Sequence, residues 1–161
     1  PLPEAQVDRF MLKVVIGYPS KEDEKRIMRQ NISARSGSKP TAVLTTEEIL
    51  KARGLVREVY MDEKIEQYIV DIVFATRNPE DFGLGHLKQL ISFGGSPRAS
   101  INMALAAKAY AFMQRRGYVI PEDVQAVFVA VTEHRLMGVN QGTQGNGVLS
   151  ETLLKRVDPL S

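Results

Sequence analysis

Gly94-Gly95-Ser96-Pro97-Arg98 opens a run that continues Ala99-Ser100-Ile101-Asn102-Met103-Ala104, and together they spell a helix start with an arginine in its first turn. Ser96 is a good N-cap, because its hydroxyl accepts from a first-turn amide that lacks an intrahelical partner, and Pro97 suits the first helical position, where its missing N–H is no loss. The two glycines allow backbone to come close to a partner. Unpaired amides and the positive end of the helix dipole favour negative charge there, and Arg98 adds a full charge on a planar donor fork that matches phosphate oxygens. Taken alone, the bland reading of this start is a well-capped helix.

Outward from this start the pattern is helical. The helix reaches about Arg115 through an alanine-rich middle that permits close packing, with Gly117 as a C-terminal stop. Pro121 begins another, in which Val124, Val127, Phe128 and Val131 form an apolar stripe. Upstream, Thr45 and Glu48 make a capping box for a helix from about Thr46 to Leu55, and Asp62 caps one whose Ile65, Tyr68, Ile69, Ile72, Val73 and Thr76 share a face. These stripes predict a small bundle of four to five helices over residues 42–137. The tail, 138–161, reads as a glycine-rich loop followed by a short helix from Ser150 to Val157.

The N-terminal part has another character. Phe10-Met11-Leu12-Lys13-Val14-Val15-Ile16, closed by Gly17-Tyr18-Pro19, reads as a strand, and Ser20 with Asp23 caps a charged helix from Lys21 to about Gln30. One apolar strand normally sits inside a sheet, so residues 1–32 predict the strand-helix remnant of an α/β core. Ser33-Ala34-Arg35-Ser36-Gly37-Ser38-Lys39-Pro40 has linker composition, which places a boundary at 33–41. The chain opens at Pro1 with no initiator methionine, and the expectation is a piece of a longer protein.

Bulk composition narrows the function classes. With 43% hydrophobic and 25% charged among 161 residues, a packed core is expected and disorder is not. A formal charge of +2 gives no polyanion footprint, so nucleic acid is not an expected partner. The absence of cysteine removes disulfides and thiolate metal sites and suits a cytoplasmic setting. The apolar runs are too short for a membrane span.

A second arginine alters the reading of the first. Leu2-Pro3-Glu4-Ala5-Gln6-Val7-Asp8-Arg9-Phe10 places Arg9 just before the predicted strand; by itself it is an arginine in a solvated turn with Asp8 as neighbour. In series, the Asp-Arg-Phe segment, the strand, the charged helix, the linker and the helical module with Gly95-Ser96-Pro97-Arg98-Ala99 resemble the C-terminal half of MoxR-family AAA+ ATPases. Ala75-Thr76-Arg77 is also similar to the family's lid. The resemblance runs from Pro1 to about Gly138, and the stretch from Phe82 to Phe93 is longer than the family pattern ahead of sensor 2.

The resemblance implies that Arg9 is an arginine finger reaching a neighbouring subunit's nucleotide and that Arg98 is the sensor 2 arginine, with Gly95, Ser96 and Pro97 completing the nucleotide-facing motif. It further implies a ring, of hexameric form, a chaperone-like remodelling role, and partners with von Willebrand factor A domains. Asn78, in the look-alike Val73-Phe74-Ala75-Thr76-Arg77-Asn78, receives no catalytic role, since it continues a helical stripe and follows the Asp-Arg-Phe segment.

ATP hydrolysis needs a glycine-rich loop with Lys and Ser/Thr, and acidic residues to hold magnesium and orient water. Neither pattern occurs in this sequence. The complete protein is expected to be an ATPase, with ATP and Mg held mainly by an upstream core, and this chain alone to be inactive. His86 and His134 lack ligand spacing, so no metal site is expected. Asp62-Glu63 and Glu122-Asp123 read as first-turn acids that complement helix dipoles, and Arg115-Arg116 as last-turn bases. The rival readings are a helical protein-interaction module without nucleotide chemistry, and a DNA-binding helical domain, which the near-neutral charge disfavours.

Overall fold

Local signals set the helix starts. In the computed structural model, which describes residues 3–32, 40–138 and 152–157, six helices are α1 (Glu4–Val7), α2 (Lys21–Ile32), α3 (Thr46–Glu58), α4 (Glu63–Arg77), α5 (Pro97–Met113) and α6 (Pro121–Thr132). Thr45 and Glu48 cap α3 reciprocally, Asp62 accepts from the Lys64 amide at the head of α4, and Ser96 accepts from the Arg98 amide with Pro97 in the first turn of α5. Ser20 accepts from the Asp23 amide at 3.1 Å and donates to its carboxylate at 2.8 Å, closing the start of α2.

The core lies between α4, α5 and α6. Every residue of the predicted α4 stripe is buried, and Val124, Phe128 and Val131 of α6 face it. On α5 the buried positions are Ala99, Met103, Ala106, Ala107 and Ala111. Their small side chains let the helix axes approach, and the larger Tyr68, Phe128 and Ile72 fill the space left over. Complete burial of a side chain of Phe size contributes about 1.5–3 kcal/mol of transfer free energy. A helical turn at 152–156 adds Leu153 and, just beyond it, Val157 to the same cluster.

The stretch from Pro79 to Phe93 folds into two 3-10 turns, Pro79–Phe82 and Gly85–Leu87, and a short strand β1 (Ile91–Phe93). β1 pairs antiparallel with β2 (Met137–Gly138), which joins the approach to α5 to the exit from α6. Leu84 and Leu87 drop into the core and anchor this detour. At the opposite end Tyr60 donates its amide to the Gly117 carbonyl and Val119 returns one to Tyr60, both at 2.9 Å.

Two expectations are corrected. Residues 10–16 do not form a strand: Lys13 donates its amide to the Ala130 carbonyl at the end of α6, while Val14, Val15 and Ile16 stay 70–91% exposed. A strand needs a neighbour that exchanges a ladder of hydrogen bonds, and no described segment supplies one. Gly117 is not the stop of α5. Arg115 adopts the left-handed conformation at φ 59°, and the amides of Arg115 and Arg116 return to the carbonyls of Phe112 and Ala111, the double closure that ends a helix. Arg116 then pairs with the buried carboxylate of Asp123, which also accepts from the Ile120 amide, so this acid holds the α5–α6 turn as well as heading its helix.

The predicted linker, residues 33–41, falls largely outside the described residues, as does the glycine-rich excursion after Gly138. Both α2 and α3 bury no residue fully.

Candidate functional site

The paired glycines allow a close approach to the end of α4. A Cβ on Gly94 would lie 2.6 Å from Cγ of Arg77 and 2.7 Å from the carbonyl oxygen of Thr76; one on Gly95 would meet Ala99 at 3.1 Å. The loop before α5 therefore presses on the end of α4. Thr76 fastens it there: its buried hydroxyl donates to the Val73 carbonyl at 2.6 Å and accepts from the Gly95 amide at 2.8 Å. Asn78 ends α4 as its C-terminal cap, and the Arg77 guanidinium lies over the Phe74 ring at 4.1 Å.

The start of α5 does meet an anion, and the anion belongs to the same chain. The Ser96 hydroxyl is 2.9 Å from both carboxylate oxygens of Asp8, and Arg98 Nη1 donates to Asp8 Oδ2 at 3.2 Å. Arg98 spends only that one N–H on the contact. The rest of the five that a guanidinium carries have no partner among the described residues, and its side chain is 58% exposed.

Asp8 is held from behind by Arg135, whose side chain is 1% exposed. All five N–H donors of Arg135 find acceptors. Nε reaches Asp8 Oδ1 at 3.2 Å; Nη1 reaches the carbonyls of Met11, at 3.3 Å, and Val131; Nη2 reaches the carbonyls of Asp8, at 3.1 Å, and Phe10. The two Nη2 acceptors flank Arg9, so the turn that carries it is fixed on both sides. Arg9 itself is exposed and its side chain makes no hydrogen bond or ion pair among the described residues.

Neighbouring groups complete the dock. Lys13 pairs with Glu133 at 3.0 Å, and His134 Nε2 lies 2.9 Å from the Phe10 carbonyl. A carbonyl only accepts, so that nitrogen carries the proton, and the buried Nδ1 has no partner among the described residues. Burial pushes the His134 pKa below its ordinary value, reinforced by the charges of Arg135 and Lys13 against the pull of the Phe10 carbonyl. For Asp8, burial acts to raise the pKa; hydrogen bonds from Ser96 and Arg98 and the charge of Arg135 outweigh it and hold the carboxyl below the usual range.

Sequence reasoning singled out Arg9 and Arg98 and missed Arg135. A signal was present, because Arg135 follows Val131 by four residues and so continues the buried stripe of α6. A charged residue in phase with an apolar stripe needs a buried partner.

Chemically, Arg98 and Arg9 present cationic donors that fit phosphate oxygens. The chain contains no phosphate-binding loop and no Asp-Glu strand, so these side chains fit a contact to bound ATP but not the whole seat for ATP and Mg. Among the described residues no group of three or more His, Asp or Glu side chains forms a metal cage, and no described helix is long and apolar enough to cross a membrane.

Comparisons with known proteins bear on the family. Residues 86–157 match the AAA lid domain, a span that includes the Arg98 helix start, Arg135 and the final turn with Leu153 and Val157. The chaperone MoxR1 of Mycobacterium tuberculosis is 39% identical over 138 residues, 85% of this chain and 36% of that protein. The MoxR protein of Paracoccus denitrificans is 30% identical across 84% of this chain and 43% of its own length. The chain belongs to the MoxR family of AAA+ ATPases. A crystal structure of an ATPase candidate from Cytophaga hutchinsonii superposes with a TM-score of 0.88 at 37% identity, covering 98% of this chain and 49% of that one. The chain thus spans between about a third and a half of the length of these relatives.

Proposed function

We propose that this chain is the lid and sensor 2 portion of a MoxR-type ATPase that couples ATP binding and hydrolysis to conformational change in a chaperone-like remodelling ring. The observation that carries the reading is the posture of Arg98. It leaves the first turn of a lid-family helix, tethered through one N–H to Asp8, with its other donors directed to no described group. Positioned arginines act on the charge spread over a transferring phosphoryl group, and a preorganised one needs no rearrangement at the moment of reaction.

In this reading Arg98 serves as the sensor 2 arginine, with Gly95, Ser96 and Pro97 shaping its helix start, and Arg9 is the finger offered to a neighbouring subunit. ATP and Mg are held mainly by a core beyond this chain. Loss of the γ-phosphate removes an anchor on Arg98 and frees the lid, with the Asp8–Lys13 segment docked on it, to change angle relative to the nucleotide-holding core beyond this chain. The family resemblance adds a cytoplasmic hexameric ring and a partner with a von Willebrand factor A domain.

The test is ATP turnover of the full-length protein with Arg98→Ala and, separately, Arg9→Ala. Each substitution lowers turnover, on the order of 10²-fold for loss of one charge-stabilising donor. Mixing Arg9→Ala subunits with unmodified ones impairs the neighbours' sites as well. Unchanged turnover in both variants overturns the proposal. That outcome favours the interaction-module reading, for which the exposed apolar groove of about 440 Å³ between α3 and α5, lined by Leu44, Ile49, Val56, Leu105 and Phe112, is the supporting observation.

A further inference from the structure

The Asp8 carboxylate stands where two arginines of different roles meet. It contacts Arg98 through one oxygen and Arg135 through the other, and Arg135 in turn grips the carbonyls on both sides of Arg9. Arg135 has no donor left over and is sealed from solvent, so it cannot itself reach a nucleotide. Arg9 and Arg98 are exposed and come from distant parts of the chain, yet both issue from this one buried junction.

We infer that Asp8 and Arg135 are positioning residues that set the arginine-finger turn and the sensor 2 helix start in one fixed relation. The inference rests on the proposed roles of Arg9 and Arg98 and goes beyond them by assigning the junction that couples them. The physical reason is rotamer restriction. An exposed arginine samples many rotamers, whereas one N–H held by a carboxylate that is itself fixed by a buried guanidinium leaves the remaining donors a narrow range of directions. Ser96 adds to this, since its hydroxyl both caps α5 and contacts Asp8, tying helix direction to carboxylate position. Arg9 follows Asp8 in the chain, so a shift of the carboxylate moves the finger turn and the lid contact together.

The experiment uses full-length protein and four variants, each checked by thermal melting. Asp8→Glu keeps the charge that neutralises Arg135 and displaces the carboxylate by one methylene. Asp8→Asn keeps the size and removes the charge. Arg98→Ala and the double variant Asp8→Glu/Arg98→Ala close a cycle. A misplacement of about 1 Å costs up to roughly 10²-fold in rate, so Asp8→Glu is expected to lower kcat by about tenfold to a hundredfold while the KM for ATP changes by less than about threefold. In the Arg98→Ala background the same change lowers kcat by a smaller factor, because part of what Asp8 positions is already gone.

Additive losses in the cycle, or an Asp8→Glu protein that melts normally and turns over ATP at the unmodified rate, overturn the inference. If Arg98→Ala and Arg9→Ala leave turnover unchanged, the proposed roles of those arginines fail first. If those two lower turnover and Asp8→Glu does not, only the positioning inference fails. Asp8→Asn serves where it folds: a kcat loss matching that of Asp8→Glu shows that charge and position are both required, and full activity overturns the inference.

Discussion

Asp8 and Arg98, ninety residues apart in sequence, meet at 3.2 Å at the head of α5. The anion that this helix start was expected to receive is therefore supplied first by the chain itself. A carboxylate there satisfies the Ser96 hydroxyl, draws on the helix dipole and leaves most of the guanidinium unspent, so the contact fixes Arg98 without consuming it.

The two arginines on Asp8 differ in what they contribute to stability. Arg135→Met keeps an apolar stem but strips Asp8 and several carbonyls of their donors in a buried setting, and the expected loss is about 3–5 kcal/mol. Arg98→Ala removes a largely exposed partner, and the expected loss is under about 1 kcal/mol. Urea unfolding of the chain measures both, and equal losses would contradict the assignment of Arg135 as the buried anchor.

Glycine substitutions separate close approach from mere looseness. Gly94→Ala drives a Cβ into the Thr76 backbone and is expected to cost more than about 2 kcal/mol, in the range of overpacked sites, with Gly95→Ala milder because its nearest neighbours are side chains at 3.1 and 3.3 Å. Gly54→Ala lies inside α3 with nothing within 4 Å and is expected to stabilise by about 0.5–1 kcal/mol. Thermal melts of the three variants should rank in that order.

Acid should loosen the dock in two steps. His134 has a lowered pKa in the folded chain, so between that value and its ordinary 6.5 the unfolded chain binds more protons and stability rises with pH. This contribution is full above 6.5 and is lost as pH falls from there through the folded value. Asp8 behaves likewise from 3.8 downward, since its folded value is also lowered. His134→Gln retains a donor for the Phe10 carbonyl and cannot titrate. Its unfolding midpoint should be flatter than that of the unmodified chain just below pH 6.5, while the loss below pH 4 persists; an unaltered profile would remove His134 from the account.

Much of this was readable in order of residues because it depends on near neighbours. The cap at Ser96, the capping box of Thr45 and Glu48, and the α4 stripe from Ile65 to Thr76 are all set within one or two helical turns. What escaped depends on distant partners. Residues 10–16 have strand character, but a strand exists only with a neighbour, and here residues 10–13 bond to the end of α6 and the turn after it while 14–16 stay exposed. Gly94 and Gly95 were read as allowing close approach, and the group approached turned out to be the end of α4. The Arg9 and Arg98 signals pointed to charge; the Asp8 and Arg135 pair that joins them spans 127 residues and left its trace only in the phase of Arg135 with Val131.

Ser96→Ala tests the shared hydroxyl. It removes an N-cap, at a cost of about 1 kcal/mol, and also the donor that lies against Asp8. Amide exchange should quicken in the first turn of α5 and in the Asp8–Phe10 turn together. Faster exchange in α5 alone would show that the hydroxyl caps without coupling.

The most direct test is a structure of the full-length protein with a non-hydrolysable ATP analogue. A phosphate oxygen is expected within hydrogen-bond distance of the Arg98 guanidinium while Asp8 keeps its contact with Arg135. An Arg98 side chain turned away from the phosphates, with the nucleotide held entirely by other groups, would contradict it.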